Sequence, residues 1–190
     1  MADEQFVSAE PDGRRRKGER RRLLLLDATM RLIGRDGVAA VTQRAVALEA
    51  GLPASAVLYY FPTVDDVLVA ALTAGNDHYL QRLDVIEAGP PAELVSRLAA
   101  LVAGQYVDRG QMLAENELYL LAARRPDMQA ELVRWTAAVD ALVAGHVDDP
   151  VDRLAVVAAI DGLFLRCACL PDPPGVDDVR AVLARLLGRA

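Results

Sequence analysis

Residues 42 to 61 read TQRAVALEAGLPASAVLYYF, and the spacing inside this stretch constrains the fold more than any other feature of the chain. Thr42 has the character of a helix N-cap, because its hydroxyl can accept one of the unpaired backbone N–H groups of the first turn. Gly51 ends that helix after Ala50, where the turn needs a positive φ that a Cβ would oppose. Pro53 suits the first turn of another short helix running to about Tyr60, and Pro62 closes it. Ala47, Gly51 and Val57 stand four and six apart. A helix-turn-helix asks for a small residue where its helices cross, a glycine at the turn and an apolar residue that locks the angle. Val46, Ala50 and Leu52 supply the remaining core positions. Ordinary αα-hairpins show the same spacing, so taken alone it leaves DNA binding and plain packing both open.

Charge bears on that choice. The net charge of −6 hides an asymmetry: residues 13 to 64 carry ten Lys or Arg against four acids, and residues 65 to 190 carry eleven against nineteen. A basic first third on an acidic remainder suggests a polyanion partner for the first part only. A solvated charged tail is the bland alternative. The run Arg14, Arg15, Arg16, Lys17, Arg20, Arg21 and Arg22 leads directly into the motif, which favours the polyanion. No stretch reaches the roughly 18 uninterrupted apolar residues of a membrane span. The apolar run Leu23 to Leu26 is too short for a signal peptide, so a cytoplasmic protein without a membrane partner is expected.

The sequence divides into a disordered basic arm (1–18), a helix-turn-helix domain (19–64) and a helical ligand-binding and dimerisation domain (65–190). A first helix is expected from about Glu19 to Arg35, with Leu26, Met30 and Ile33 on one face and Gly37 capping it in a left-handed conformation. Thr63, with Asp66 three residues on, caps a long fourth helix whose apolar positions are Val67, Leu68, Ala71, Leu72, Tyr79, Leu83 and Ile86. After the Gly89-Pro90-Pro91 break, helices are expected at about 92–108, 111–124, 127–146, 150–170 and 176–188. Nine helices and no strand make an all-α fold. Cys167 and Cys169 fall on different sides of a helix and read as buried thiols rather than a disulfide or metal pair. His78 and His146 have no ligand-spaced partners and read as surface or boundary residues.

From about Arg21 to Leu72 the chain resembles the TetR family of bacterial transcriptional regulators. The residues that carry the likeness are GRDGVAAVT at the end of the first helix, the AxxxG turn, YYFPT leading into a capped helix, and VLVAAL after it. LYLLAARRPDM (118–128) and AIDGLFLRCACL (159–170) extend it over nearly the whole chain. The resemblance implies DNA contacts from Thr42, Gln43, Arg44, Ala54, Ser55, Ala56, Tyr59, Tyr60 and Thr63. Thr42 and its helix N-terminus would meet a phosphate, Arg44 could donate to guanine unless it forms a surface ion pair with Glu49 or another acid, and Tyr60 divides between phosphate contact and packing. Leu58 stands where a Tyr is common in the family, and Val64 where a Lys is common. The arginine cluster at 14–22 would compensate for the lost backbone contacts.

The helix at 150–170 is apolar on nearly every side and needs two apolar neighbours. The resemblance makes the second neighbour another copy of the chain, through Val156, Ile160, Leu163, Val179, Val182, Leu183 and Leu186. The resulting homodimer would present two recognition helices to a double-stranded, pseudo-palindromic operator with half-sites about 34 Å apart or a multiple of that. A small-molecule effector is expected between the helices of 92–146, against Tyr79, Tyr106, Asn116, Tyr119, Trp135 and Phe164, with plain core packing the competing reading for each, since aromatic residues at helical spacing commonly fill cores. Ligand entry would tilt the fourth helix and release DNA, as the resemblance implies. No cofactor, metal or catalytic residue is expected, since no nucleophile elbow, zinc motif or phosphate loop occurs. Glu115 and Glu117 fall two apart on a helix, so they diverge and cannot form an acid/base pair. The competing reading is a helical small-molecule-binding or interaction module with a degenerate DNA-binding head.

Overall fold

A computed structural model describes residues 10–105 and 108–188. Among the described residues there are nine α-helices and no strand: α1 (Glu10–Asp36), α2 (Gln43–Ala50), α3 (Ala54–Tyr60), α4 (Val64–Glu87), α5 (Leu94–Val102), α6 (Arg109–Ala122), α7 (Gln129–Ala144), α8 (Pro150–Cys169) and α9 (Val176–Leu186). Short 3-10 turns at Val38–Ala40 and Pro91–Glu93 precede α2 and α5.

Helix α1 begins nine residues before the expected Glu19. Disorder through residue 18 is the expectation from Pro, Gly and acids without periodicity at the start of the chain, yet the Arg, Lys and Glu that follow are good helix formers once a nucleus exists, and the Leu-rich turn downstream supplies one. Gly37 has the expected positive φ of 83°, but its ψ of 164° is extended rather than left-handed helical. Helix α5 stops at Val102, well short of 108, because the chain turns at Gly104 with φ 71° and Met112 Sδ fills the space a side chain there would need.

Two cores lie along the molecule. The first gathers Leu25, Ile33, Val46, Val57, Phe61 and the first half of α4 (Val67, Leu68, Ala71, Leu72), and it also takes Ala114, Leu118, Ala122 and Met128 from farther along the chain. The second joins the rest of α4 (Tyr79, Leu83, Ile86) to α5, α7, α8 and α9. The expected limit between residues 64 and 65 therefore falls at the start of a helix that both cores share. Helix α6 is shared in the same way, with Met112 in the second core and Leu118 in the first. Arg109 at its start donates to the carbonyls of Ala168 (3.0 Å) and Cys169 (3.2 Å), satisfying the end of α8.

Along α8, Val156, Val157, Ile160 and Cys167 are buried, while Val151, Leu154, Leu165 and Cys169 are exposed. The expected interface residues Val156, Ile160, Val179 and Leu183 are thus core residues of a single chain, and half-buried Leu163 packs against that core. Of that set only Val182 and Leu186 face outward. Cys169 likewise lies on the exposed side, correcting its reading as a buried thiol. Periodicity cannot tell which side of an all-round apolar helix meets its own core, and here it selected the inward one.

Candidate DNA-binding face and small-molecule cavity

The helix-turn-helix is assembled from backbone caps. Thr42 Oγ1 accepts the Ala45 N–H at 3.0 Å. Gly51 adopts the left-handed conformation (φ 64°, ψ 31°), and the Leu52 N–H reaches back to the Ala47 carbonyl at 2.9 Å. Ala47 and Val57 are buried where α2 and α3 meet. Glu49 clamps α2 onto α1 by accepting from Arg31 (3.0 Å) and Arg35 (3.1 Å), and these guanidinium groups hold its carboxyl below the usual range. Arg44 therefore does not share Glu49, and it stands exposed at the start of α2.

Ala54, Ser55 and Tyr59 are exposed along α3, Ala56 is half-buried, and Leu58 is half-exposed. Gln43, expected at the groove edge, is a brace instead: its amide donates to the carbonyls of Phe61 (3.2 Å) and Pro62 (2.7 Å), holding the turn between α3 and α4. Tyr60 is half-buried, edge-on to Tyr59, with its hydroxyl beside Gly18 of α1, so packing takes up much of its surface. Thr63 is occupied by its capping box: its hydroxyl donates to Asp66 (2.7 Å) and accepts the Asp66 N–H (3.1 Å). Asp65 and Asp66 make that helix start acidic, which disfavours a phosphate contact there. Val64 packs against the first core. On α1, Arg15, Lys17, Arg20 and Arg21 are exposed, whereas the Arg22 guanidinium lies 5.6 Å from the centre of the Phe61 ring.

A cavity of about 300 Å³ opens between α1, α4, α6, α7 and α8. Tyr79 lines it, with Trp135 and Phe164 edge-to-face at 5.7 and 5.5 Å between ring centres. Asn116 and Tyr119 complete the expected lining; Tyr106 lies outside the described residues. Sequence reasoning missed Glu115, Asp161, Asn76 and Met30, which also line it. A signal for Glu115 existed: it falls between Met112 and Tyr119 on one helical face, a carboxyl in an otherwise apolar series.

The Tyr79 hydroxyl and Glu115 Oε2 are both buried and neither makes a hydrogen bond within 3.5 Å, although the phenol and the carboxyl are neighbours that influence each other. Burial pushes the Glu115 carboxyl up to about 7, although the Gln111 amide, donating to Oε1 at 2.9 Å, pulls the other way. Burial, then the neighbouring Glu115, raises the Tyr79 phenol far above its ordinary value. Asp161 is raised by burial and drawn partly back by Trp135. Asn76 is fixed by its amide donating to Glu131 on α7 (Oε2, 2.8 Å; carbonyl, 3.0 Å). The described lining contains no Lys, Arg or His. It therefore presents carboxyls and aromatic rings with no internal counter-charge.

Among the described residues, no three His, Cys, Asp or Glu are grouped to hold a metal, and no single helix is long and apolar enough to cross a membrane. Residues 25–71 match the family described as bacterial regulatory proteins, tetR family, and residues 89–189 match the tetracyclin repressor-like C-terminal domain. No curated protein sequence matches the chain significantly. Among solved structures, the multidrug binding protein EbrR complexed with ethidium is 34% identical, covering 87% of this chain and 97% of its own, with a TM-score of 0.66. EbrR complexed with malachite green is 35% identical over 87% and 97%, with a TM-score of 0.68. A TetR-family member from Streptomyces coelicolor is 35% identical over the same shares, with a TM-score of 0.74. With both domain patterns matched in order and the helix-turn-helix built as described, the chain belongs to the TetR family of DNA-binding transcriptional regulators.

Proposed function

We propose that this protein is a homodimeric repressor that occupies a pseudo-palindromic operator when its cavity is empty and leaves it when a small aromatic cation enters. The observation that carries the ligand class is Glu115, whose Oε2 is buried with no hydrogen bond within 3.5 Å, in an aromatic cavity whose described lining has no cationic side chain. Burying a carboxylate without a counter-charge is costly, and a cationic guest would supply that charge. Its rings would stack within the Tyr79, Trp135 and Phe164 cluster, where the aromatic faces also attract positive charge. Ethidium and malachite green, bound by the related EbrR, are both aromatic cations.

On the DNA side, Arg44, Ser55 and Tyr59 supply the contacts, with Ala54 and Ala56 offering methyl groups to thymine and the N-terminus of α2 at Thr42 meeting a phosphate. The exposed basic turns of α1 add backbone contacts in place of those lost at Leu58 and Val64. Two copies pair through the exposed side of α8 and α9 (Val151, Leu154, Leu165, Val182 and Leu186).

Selection of bound genomic fragments by the purified protein, with and without ethidium, tests the reading together with an ethidium fluorescence titration. The expected result is saturable ethidium binding and an enriched inverted repeat that ethidium depletes from the natural chain but not from Glu115→Gln, a comparison in which ethidium's own intercalation into DNA is common to both. Ethidium binding with no enriched DNA would instead favour the degenerate-head reading, which the exposed Leu58 and core-facing Val64 keep in play.

A further inference from the structure

Glu115 and Glu117 are two residues apart on α6, about 200° around its axis, and each reaches a different part of the molecule. Glu115 faces the cavity and packs beside Gly75 of α4, where an added Cβ would lie 3.8 Å from its Cγ. Glu117 faces the DNA-binding head: its Oε1 accepts the backbone N–H of Val38 at 2.8 Å, across 79 positions of sequence. Val38 opens the 3-10 turn between α1 and α2, four residues before the Thr42 cap that starts the helix-turn-helix. Gly37 lies against the same carboxylate, with its added Cβ 3.5 Å from Oε1.

Helix α6 is also pressed directly onto α1. Leu118 and Ala122 sit in the head's core, and Met30 of α1 forms part of the cavity wall. An occupant of the cavity therefore touches the head through Met30 and reaches α6 through Glu115. Resting on the cavity being the effector site, we infer that Glu117 is a clasp between the two halves of the protein, closed on Val38 while the cavity is empty and pulled open when an occupant displaces Glu115 and turns α6. The joint ahead of α2 is then free, and the recognition helix loses its fixed orientation. This route runs through α6 and is separate from a tilt of α4.

Amide hydrogen exchange of Val38 in the full chain tests the clasp in three states: empty, saturated with ethidium, and carrying Gly75→Leu, which crowds Glu115 without any ligand. Where Gly75→Leu does not fold, the more flexible Gly75→Met replaces it. The clasp predicts at least tenfold faster Val38 exchange with ethidium and in the Gly75 variant. By reciprocity of coupling, Glu117→Ala should bind ethidium about fivefold more tightly, because the clasp no longer opposes the occupied state. Glu117→Gln, which keeps an acceptor oxygen, should stay within twofold of the natural chain. A merely structural Glu117 would not tighten ligand binding when truncated. Bound ethidium with unchanged Val38 exchange overturns the clasp. If ethidium does not bind, the cation reading fails instead, and the Gly75 variant alone decides: fast Val38 exchange upholds the clasp and unchanged exchange overturns it.

Discussion

The backbones of Gly34 in α1 and Gly110 in α6 touch so closely that a Cβ on Gly34 would lie 2.2 Å from the Gly110 carbonyl oxygen. The contact joins backbone to backbone, so no side chain can swing aside to relieve an added methyl. Gly34→Ala must separate the helices and disturb the packing of α6 on the head. It should lower stability by about 1–3 kcal/mol, the range for overpacking, despite the better helix propensity of alanine. Urea unfolding of the purified variant checks this, and a gain in stability would show that the two helices are free to separate.

Ligand affinity should depend on pH through Glu115. Its carboxyl titrates near 7 in the empty cavity, where the Tyr79 phenol, Gln111 and Asp108 are its titratable or polar influences. A cation favours the ionised form, so ethidium affinity should fall up to tenfold per pH unit below about 7 and level off above it. Glu115→Gln should remove that slope and weaken binding throughout. Stability of the empty protein runs in the opposite sense. Because the folded carboxyl sits above its ordinary 4.5, the folded state loses stability as pH rises from about 4.5 to 7. Glu115→Gln should therefore be more stable than the natural chain at pH 8, by on the order of 1–2 kcal/mol. Ethidium titrations and thermal unfolding between pH 5.5 and 8.5 measure both.

On the DNA face, Arg44 and Gln43 should behave differently although they are adjacent. Arg44 is exposed, so Arg44→Ala should leave stability within about 0.5 kcal/mol and weaken specific DNA binding by about 1–3 kcal/mol with relaxed preference at one base. Gln43 holds two backbone carbonyls at the turn between α3 and α4. Gln43→Ala should therefore cost about 1 kcal/mol of stability, the usual worth of such a bond. Fluorescence anisotropy on the selected operator, beside thermal unfolding, separates the two outcomes.

Much of the fold was legible because its punctuation is chemical. Thr42, Gly51, Thr63 and the Gly89-Pro90-Pro91 break each act locally, and the structure places caps or turns at all of them. The aromatic lining was legible too, since large residues at helical spacing on neighbouring helices converge. Illegible were the features set by long-range packing. Nothing local distinguishes Glu117, which grips a backbone 79 positions away, from a solvated surface acid. Gln43 looked like a free polar group because its partners, the carbonyls of Phe61 and Pro62, lie in a turn whose geometry the sequence does not spell out.

Helix α8 gives the sharpest case, because both of its sides carry large aliphatic residues and those residues have different roles. Leu154 is 68% exposed and Ile160 is 3% exposed, though both are aliphatic residues of one helix. If the outer side joins two copies, a charge at position 154 must be desolvated on association, and Leu154→Glu should give a folded monomer with undiminished helicity. Its affinity for an operator of two half-sites should then fall sharply, since the second recognition helix no longer arrives tethered to the first. Ile160→Ala should act through the core instead, removing about 2–5 kcal/mol of stability while leaving folded molecules paired. Sedimentation of both variants at micromolar concentration, with urea unfolding, tells the two sides apart. A Leu154→Glu protein that sediments as a dimer would move the interface away from this side of α8.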